Sequence, residues 1–255
     1  MTDRPNTPAP APTESTGLLF YHSILLVGGS SGIGLASARQ LLALGAKITI
    51  AGRDPERLAA ARAQLGAVDT ASVDANDAAA LTGLLERVTP RHVVLSTGGP
   101  YSATLAGMDV EATLGYVRSR IAPLFVVAAW TAGQAAKVET LTLVGGIALR
   151  KPGTGVSPWA FVGSGLVSLI EAMAVELAPT RVNEVAPSLI VESTVADRFF
   201  KSAEEREGWR LKVEQTSPAR RAVTLEDAAR QVVGLITDPA ITGSVRVVDG
   251  GQSLM

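Results

Sequence analysis

At 255 residues, 47% of them hydrophobic, the chain can bury the core of one large α/β domain, which excludes a fibrous or wholly disordered protein. Lys+Arg 23 against Asp+Glu 24 leave a net charge of −1, so no overall field draws the chain to nucleic acid or to acidic lipid. The lack of cysteine removes disulfides, thiolate metal sites and thiol nucleophiles, and it fits a reducing, cytoplasmic setting.

In chain order, Met1 to Gly17 hold Pro5, Pro8, Pro10 and Pro12 among Thr, Ala and Ser, with no apolar period and no basic start. This stretch reads as a disordered tail and not as a signal peptide, leaving 18–255 as a single domain. From Ser23 onward, aliphatic runs alternate with alanine-rich amphipathic stretches of helical length. The runs are Ile24 to Val27, Lys47 to Ala51, Ala71 to Asp74, His92 to Leu95, Thr140 to Val144, Arg181 to Val185 and Ser244 to Val248. Such continuous runs suit strands buried on both faces of a parallel sheet. Helices are predicted at Ile33 to Leu44, Pro55 to Leu65, Ala78 to Val88, Met108 to Gln134, Pro158 to Leu177 and Leu225 to Ile236. The alternation predicts an α/β, doubly wound, mostly parallel seven-stranded sheet with helices on both faces. The longest nearly unbroken apolar stretch, Ile121 to Trp130, contains Pro123 and is about half the ~20 residues of a membrane span, so no membrane partner is expected.

Between the first run and the first helix stands Gly28-Gly29-Ser30-Ser31-Gly32-Ile33-Gly34. A glycine turn at that junction lets backbone N–H groups and the positive helix end approach a pyrophosphate. With its strand in front and helix behind, the Gly28, Gly32, Gly34 spacing resembles the cofactor fingerprint of the short-chain dehydrogenase/reductase family, with Val27 in place of the usual Thr. The resemblance continues in order to the C-terminus. Asp74 stands where the family holds the adenine, Asn183-x-x-x-Pro187 is similar to its Asn-x-x-x-Pro-Gly segment with Ser188 for glycine, and Thr242-Gly243 and Val248-Asp249-Gly250-Gly251 match its closing motifs. It implies a Rossmann-type fold, a nicotinamide cofactor held by Gly28, Ser30, Ser31, Gly32, Ile33, Gly34, Arg53, Asp74, Ser96, Gly98, Pro187 and Ile190, no metal, a small-molecule substrate, and a homodimer or homotetramer joined through the two longest helices.

The second run ends Gly52-Arg53-Asp54. A carboxylate at this strand tip would hold a ribose 2′-hydroxyl, whereas a guanidinium binds a 2′-phosphate, so Arg53 favours NADP(H). The other reading makes Arg53 a solvated charge and Asp54 only the N-cap before Pro55; both can hold together.

Family members exchange a proton through a Tyr, with a Lys at i+4 on the same helix face lowering the phenol pKa, a Ser after the fifth strand and an Asn on an earlier helix. Glu176-Leu177-Ala178-Pro179 and Asn183 fix the register and put Trp159 at the Tyr position and Gly163 at the Lys position. Gly146 stands for the Ser, Arg120 falls near the Asn, and Ser96-Thr97-Gly98-Gly99 replaces the Asn-Asn-Ala-Gly of the fourth strand. Indole has no accessible pKa and guanidinium stays charged, so neither replaces the acid. Between Gly145 and Asn183 there is no Tyr, and the only Lys is Lys151.

Strand polarity puts the site beyond the carboxyl ends of the strands. His22, His92 and Tyr21 lie at the opposite edge and are expected at the surface, and Tyr116 falls within a long helix. Tyr101, Lys151 and Glu192 remain as substitutes, each weighed against being an ordinary loop residue. Ser157-Pro158 reads as N-cap and N1 of a helix. Within it, Gly163 and Gly165, each costing ~1 kcal/mol against Ala, suggest close approach of a backbone or a ring. One hypothesis has Trp159 filling the volume of the lost Tyr and Lys, with Arg120 reaching for the ribose. The pocket is expected from Gly99 to Met108, Ile147 to Trp159 and Leu189 to Gly208, the last a mobile lid.

Two functions fit. The first is an NADP(H)-dependent oxidoreductase with non-standard acid–base residues acting on a small carbonyl, quinone or related acceptor. The alternative is a catalytically silent NADP(H)-binding protein serving as sensor, scaffold or assembly partner. A third reading has no nucleotide bound at all.

Overall fold

The structure, a computed structural model, describes residues 18–99, 101–134, 137–147 and 153–255. The Met1 to Gly17 tail and Lys151 lie outside them. Seven parallel strands form one sheet in the order β3-β2-β1-β4-β5-β6-β7. They are β1 (Ser23–Val27), β2 (Lys47–Gly52), β3 (Asp69–Ser72), β4 (His92–Leu95), β5 (Thr140–Val144), β6 (Arg181–Pro187) and β7 (Ser244–Val248). Seven helices are described, α1 (Gly32–Ala43), α2 (Pro55–Leu65), α3 (Ala78–Val88), α4 (Val110–Ala132), α5 (Ser157–Glu176), α6 (Ala203–Thr216) and α7 (Leu225–Thr237).

The aliphatic runs build two cores because successive strand residues point to opposite faces. Leu25, Val93, Leu141 and Val182 pack with α3, α4 and α5. On the other face, Ile24, Leu26, Ile48, Val94 and Val185 pack with α1, α2 and α7. Asn183 faces that second side: its amide donates to the Ile241 carbonyl and accepts from the Ser244 N–H, stitching β7 onto β6. The Asn of the sequence motif is therefore at least partly a sheet fastener.

Four expectations are corrected. β3 runs Asp69–Ser72 and Asp74 lies past its end, because an edge strand with mostly exposed residues carries no aliphatic signal. The N-cap of α5 is Val156, without a side-chain hydrogen bond, so Ser157 is the first helical residue. Gly165 is exposed, with open space where a β-carbon would stand, so no close approach explains it. His92 is not a surface residue but 1% exposed. Its Nδ1 meets Thr140 Oγ1 at 2.9 Å and its Nε2 meets His22 Nδ1 at 3.0 Å. The ligating atoms of His22, His92 and Glu139 lie within 4.8 Å of one another, but the ring contacts above and the Arg91–Glu139 ion pair already use them.

Candidate active site

A cleft opens beyond the carboxyl ends of β1, β4, β5 and β6, where the strand order reverses between β1 and β4. Its first wall is the glycine loop. Gly28 takes φ +88, its N–H donates to the Ala51 carbonyl at 2.7 Å, and a β-carbon on it would lie 2.7 Å from the Ser96 carbonyl carbon. A β-carbon on Gly34 would come 3.0 Å from the Gly28 carbonyl carbon, so the loop can fold back against α1 only with glycine at both places.

The amides of the first turn of α1 meet no capping side chain: Ser31 is the N-cap and makes no such bond. By contrast Asp54, Asp77, Asp109, Ser202 and Thr224 cap α2, α3, α4, α6 and α7. An uncapped, positively polarised helix end behind a glycine turn, open to a cleft, fits a pyrophosphate.

Of the residues expected to hold a cofactor, Gly28, Ser31, Gly32, Ile33, Ser96, Gly98, Pro187 and Ile190 line this one cleft. Ser30, Gly34, Arg53 and Asp74 do not. Arg53 is exposed at the tip of β2, with Asp54 beside it accepting from the Glu56 and Arg57 N–H groups as the cap of α2. Asp74 is exposed just after β3 and accepts from the Asn76 backbone and side chain.

The residues at the expected catalytic positions do converge. Arg120, Gly146, Trp159 and Gly163 all line the cleft. Trp159 sets its ring edge-on to Phe199, centroids 5.8 Å apart, and its buried Nε1 has no hydrogen-bond partner. Arg120 does not reach out for a ribose in this structure. Its guanidinium donates to the Thr97 carbonyl and, at 3.2 Å, to the Val144 carbonyl, bridging the ends of β4 and β5. Gly98 allows this, since a β-carbon there would lie 2.7 Å from Arg120 Cδ.

The proposed substitutes fare differently. Tyr101 turns its hydroxyl to Thr113 Oγ1 at 3.1 Å and does not line the cleft. Glu192 is exposed and does not line it either. Tyr116, set aside in the sequence as a residue of a long helix, does line it, stacked on Tyr101 with centroids 5.3 Å apart. Burial raises its phenol pKa, with Arg120 opposing.

One residue was missed altogether. Glu184 sits in β6, paired with Leu143 of β5, and alternation turns it to the α4/α5 face. It lines the cleft floor, is 0% exposed, and neither carboxyl oxygen takes a hydrogen bond. Burial pushes its pKa up from 4.5 to about 7, with the Arg120 charge pulling the other way. The signal was a carboxylate in the middle of a buried strand, on the face opposite to Asn183, which is costly and so informative.

The far wall comes from the segment after β6. Ile190, Ser193, Thr194 and Val195 line the cleft, and Arg206 of α6 donates to the Val191 carbonyl at 2.6 Å and pairs with Asp197. The expected lid is thus partly helical from Ala203 on.

Residues 22–97 match the short chain dehydrogenase model, and residues 133–253 match the enoyl-(acyl carrier protein) reductase model. A Streptomyces violaceoruber protein named as ketoacyl reductase 2 of the granaticin polyketide synthase is 30% identical over 91% of this chain and 96% of its own length. The chain belongs to the short-chain dehydrogenase/reductase family. Among solved structures, the MalC reductase/Diels-Alderase of Malbranchea aurantiaca superimposes with a TM-score of 0.83 at 25% identity, covering 93% of this chain and 98% of that one. A protein described as of the short chain dehydrogenase/reductase family gives 0.80 at 28% identity, covering 93% and 99%. Members of this family of oxidoreductases bind a nicotinamide cofactor, and the fold and glycine loop described above are those of that family.

Proposed function

We propose that the protein is an NADP(H)-dependent reductase of a small carbonyl, quinone or related acceptor, working without the family's Tyr–Lys pair. The observation that carries this reading is the uncapped start of α1 behind the Gly28 turn, opening into a cleft whose other walls hold a buried carboxyl and a guanidinium. Gly28, Ser31, Gly32 and Ile33 would take the pyrophosphate, with Ser30 and Gly34 shaping the turn. Arg53 would take the 2′-phosphate, Asp74 the adenine, and Ser96, Gly98, Pro187 and Ile190 the nicotinamide half. When bound, the nicotinamide supplies a hydride. One similar protein is named as a ketoacyl reductase, in keeping with a carbonyl acceptor.

Trp159, Gly163 and Gly146 favour a second reading, a silent nucleotide-binding member, because no usual proton relay survives. Fluorescence titration with NADPH and NADH, followed by a screen of carbonyl and quinone acceptors for NADPH consumption, decides. Tight NADPH binding with turnover supports the reductase. Binding with no turnover on any acceptor supports the silent reading, and no binding of either nucleotide removes both.

We further infer a cytoplasmic homodimer or homotetramer. α5 is long and apolar enough to cross a membrane, yet Val162, Leu166, Ile170 and Met173 are committed to the core under the sheet. Its exposed Phe161 and Val175, with Leu114 and Phe125 of α4, suit a second copy of the chain better than lipid.

A further inference from the structure

We propose that Glu184 is the proton donor of this cleft, placed on the floor from β6 in place of the tyrosine that α5 lacks. The assignment rests on the reductase reading above. A carboxyl wholly removed from water with neither oxygen hydrogen-bonded is costly; Leu141, Leu143 and Val182 share its core, and Arg120, the cation that faces it, gives its hydrogen bonds to the Thr97 and Val144 carbonyls and none to the carboxyl. The fold makes room for it instead. A β-carbon on Gly145 would lie 2.8 Å from Glu184 Cδ, so glycine at this position is what admits the side chain.

Gly146 and Gly163 add no side chain between the carboxyl and the cleft. Arg120, held by the Thr97 and Val144 carbonyls, is the charged group facing it from α4, and Tyr116 is the other titratable one. Among the described residues lining the cleft, α5 and the end of β5 present neither charge nor titratable group. With burial winning over Arg120, the acid keeps its proton in a good fraction of molecules at neutral pH, as a general acid must.

A hydride brings an electron pair to the acceptor carbon, the C=O π pair moves onto oxygen, and Glu184 passes its proton to that oxygen. The carboxylate that remains faces Arg120 and takes a proton from water before the next turnover. One hydride and one proton are consumed for each alcohol formed.

The test combines E184Q, Y116F and the wild-type chain, each checked for NADPH affinity by fluorescence. E184Q should bind NADPH as the wild type does and lose about 10²–10³-fold in kcat with a ketone acceptor, whereas Y116F should keep most of it. Infrared difference titration should find a carboxylic C=O band that disappears with a midpoint near neutral pH and is absent from E184Q; R120A should move that midpoint upward. Turnover that survives E184Q, a loss in Y116F instead, or a carboxyl ionised throughout the neutral range each overturns the assignment alone. Bound NADPH without turnover on any acceptor overturns the assignment and the reductase reading together.

Discussion

The carboxyl of Glu184 occupies the space that any side chain on Gly145 would need. Gly145, just past the end of β5, and Glu184 of β6 therefore share one volume between a glycine and a glutamate. Gly145→Ala should push the flexible end of Glu184 aside, lower activity as E184Q does, and destabilise the fold by about 1–3 kcal/mol. Adding Glu184→Ala should recover stability relative to the Gly145→Ala single variant, a coupling readable in thermal denaturation as a double-mutant cycle. Strict additivity would show that the two do not meet.

Glu184 also predicts a pH dependence. Its pKa is about 7 when folded against an ordinary 4.5, so between those values the native state holds the proton that the unfolded chain has released. Its contribution is thus most favourable below about pH 4.5 and is lost as pH rises toward 7. E184Q should match the wild type in acid and exceed it by about 3 kcal/mol above pH 7 in urea unfolding.

His92 should act in the opposite sense. Burial holds it near 4 against an ordinary 6.5, with Glu139 resisting and His22, Arg91 and Arg181 adding to the depression. The unfolded chain takes the proton first, so stability is complete above about 6.5 and falls as pH drops toward 4, by up to about 3 kcal/mol. His92→Gln should flatten that acid limb, seen in the pH dependence of the unfolding midpoint.

Arg53 stands exposed at the tip of β2. Arg53→Ala should weaken NADPH by about 10–100-fold, the worth of hydrogen bonds to a charged group, and leave NADH nearly unchanged. Equal losses for both nucleotides would remove the guanidinium from the 2′-phosphate.

Aliphatic runs and glycine punctuation were enough to read the sheet, because strands buried on both faces leave an uninterrupted signal, and the Gly28 turn followed from its place between β1 and α1. What escaped were elements whose signal is polar. α6 is a strongly polar helix in which only Val213 is buried, and its marks were local: Ser202 capping the Glu205 N–H and Arg210 paired with Glu207 and Glu214. β3 lies at the edge, where polar residues are tolerated. Tyr116 sits in a long helix and Glu184 inside a strand, and neither membership shows in the sequence which way the side chain faces, which is what brings both to the cleft. The positions of Trp159, Gly163, Gly146 and Arg120 came from motif register, and all four do meet in the cleft.

Arg120 clamps the ends of two neighbouring strands, while the opposite wall hangs from α6 through Arg206. The chemistry therefore rests on a braced foundation and the acceptor is judged by a separate, replaceable flank. Grafting residues 189–216 from a relative should redirect which molecules are accepted without retuning the acid beneath, so new specificities are accessible to this scaffold through changes in that flank alone.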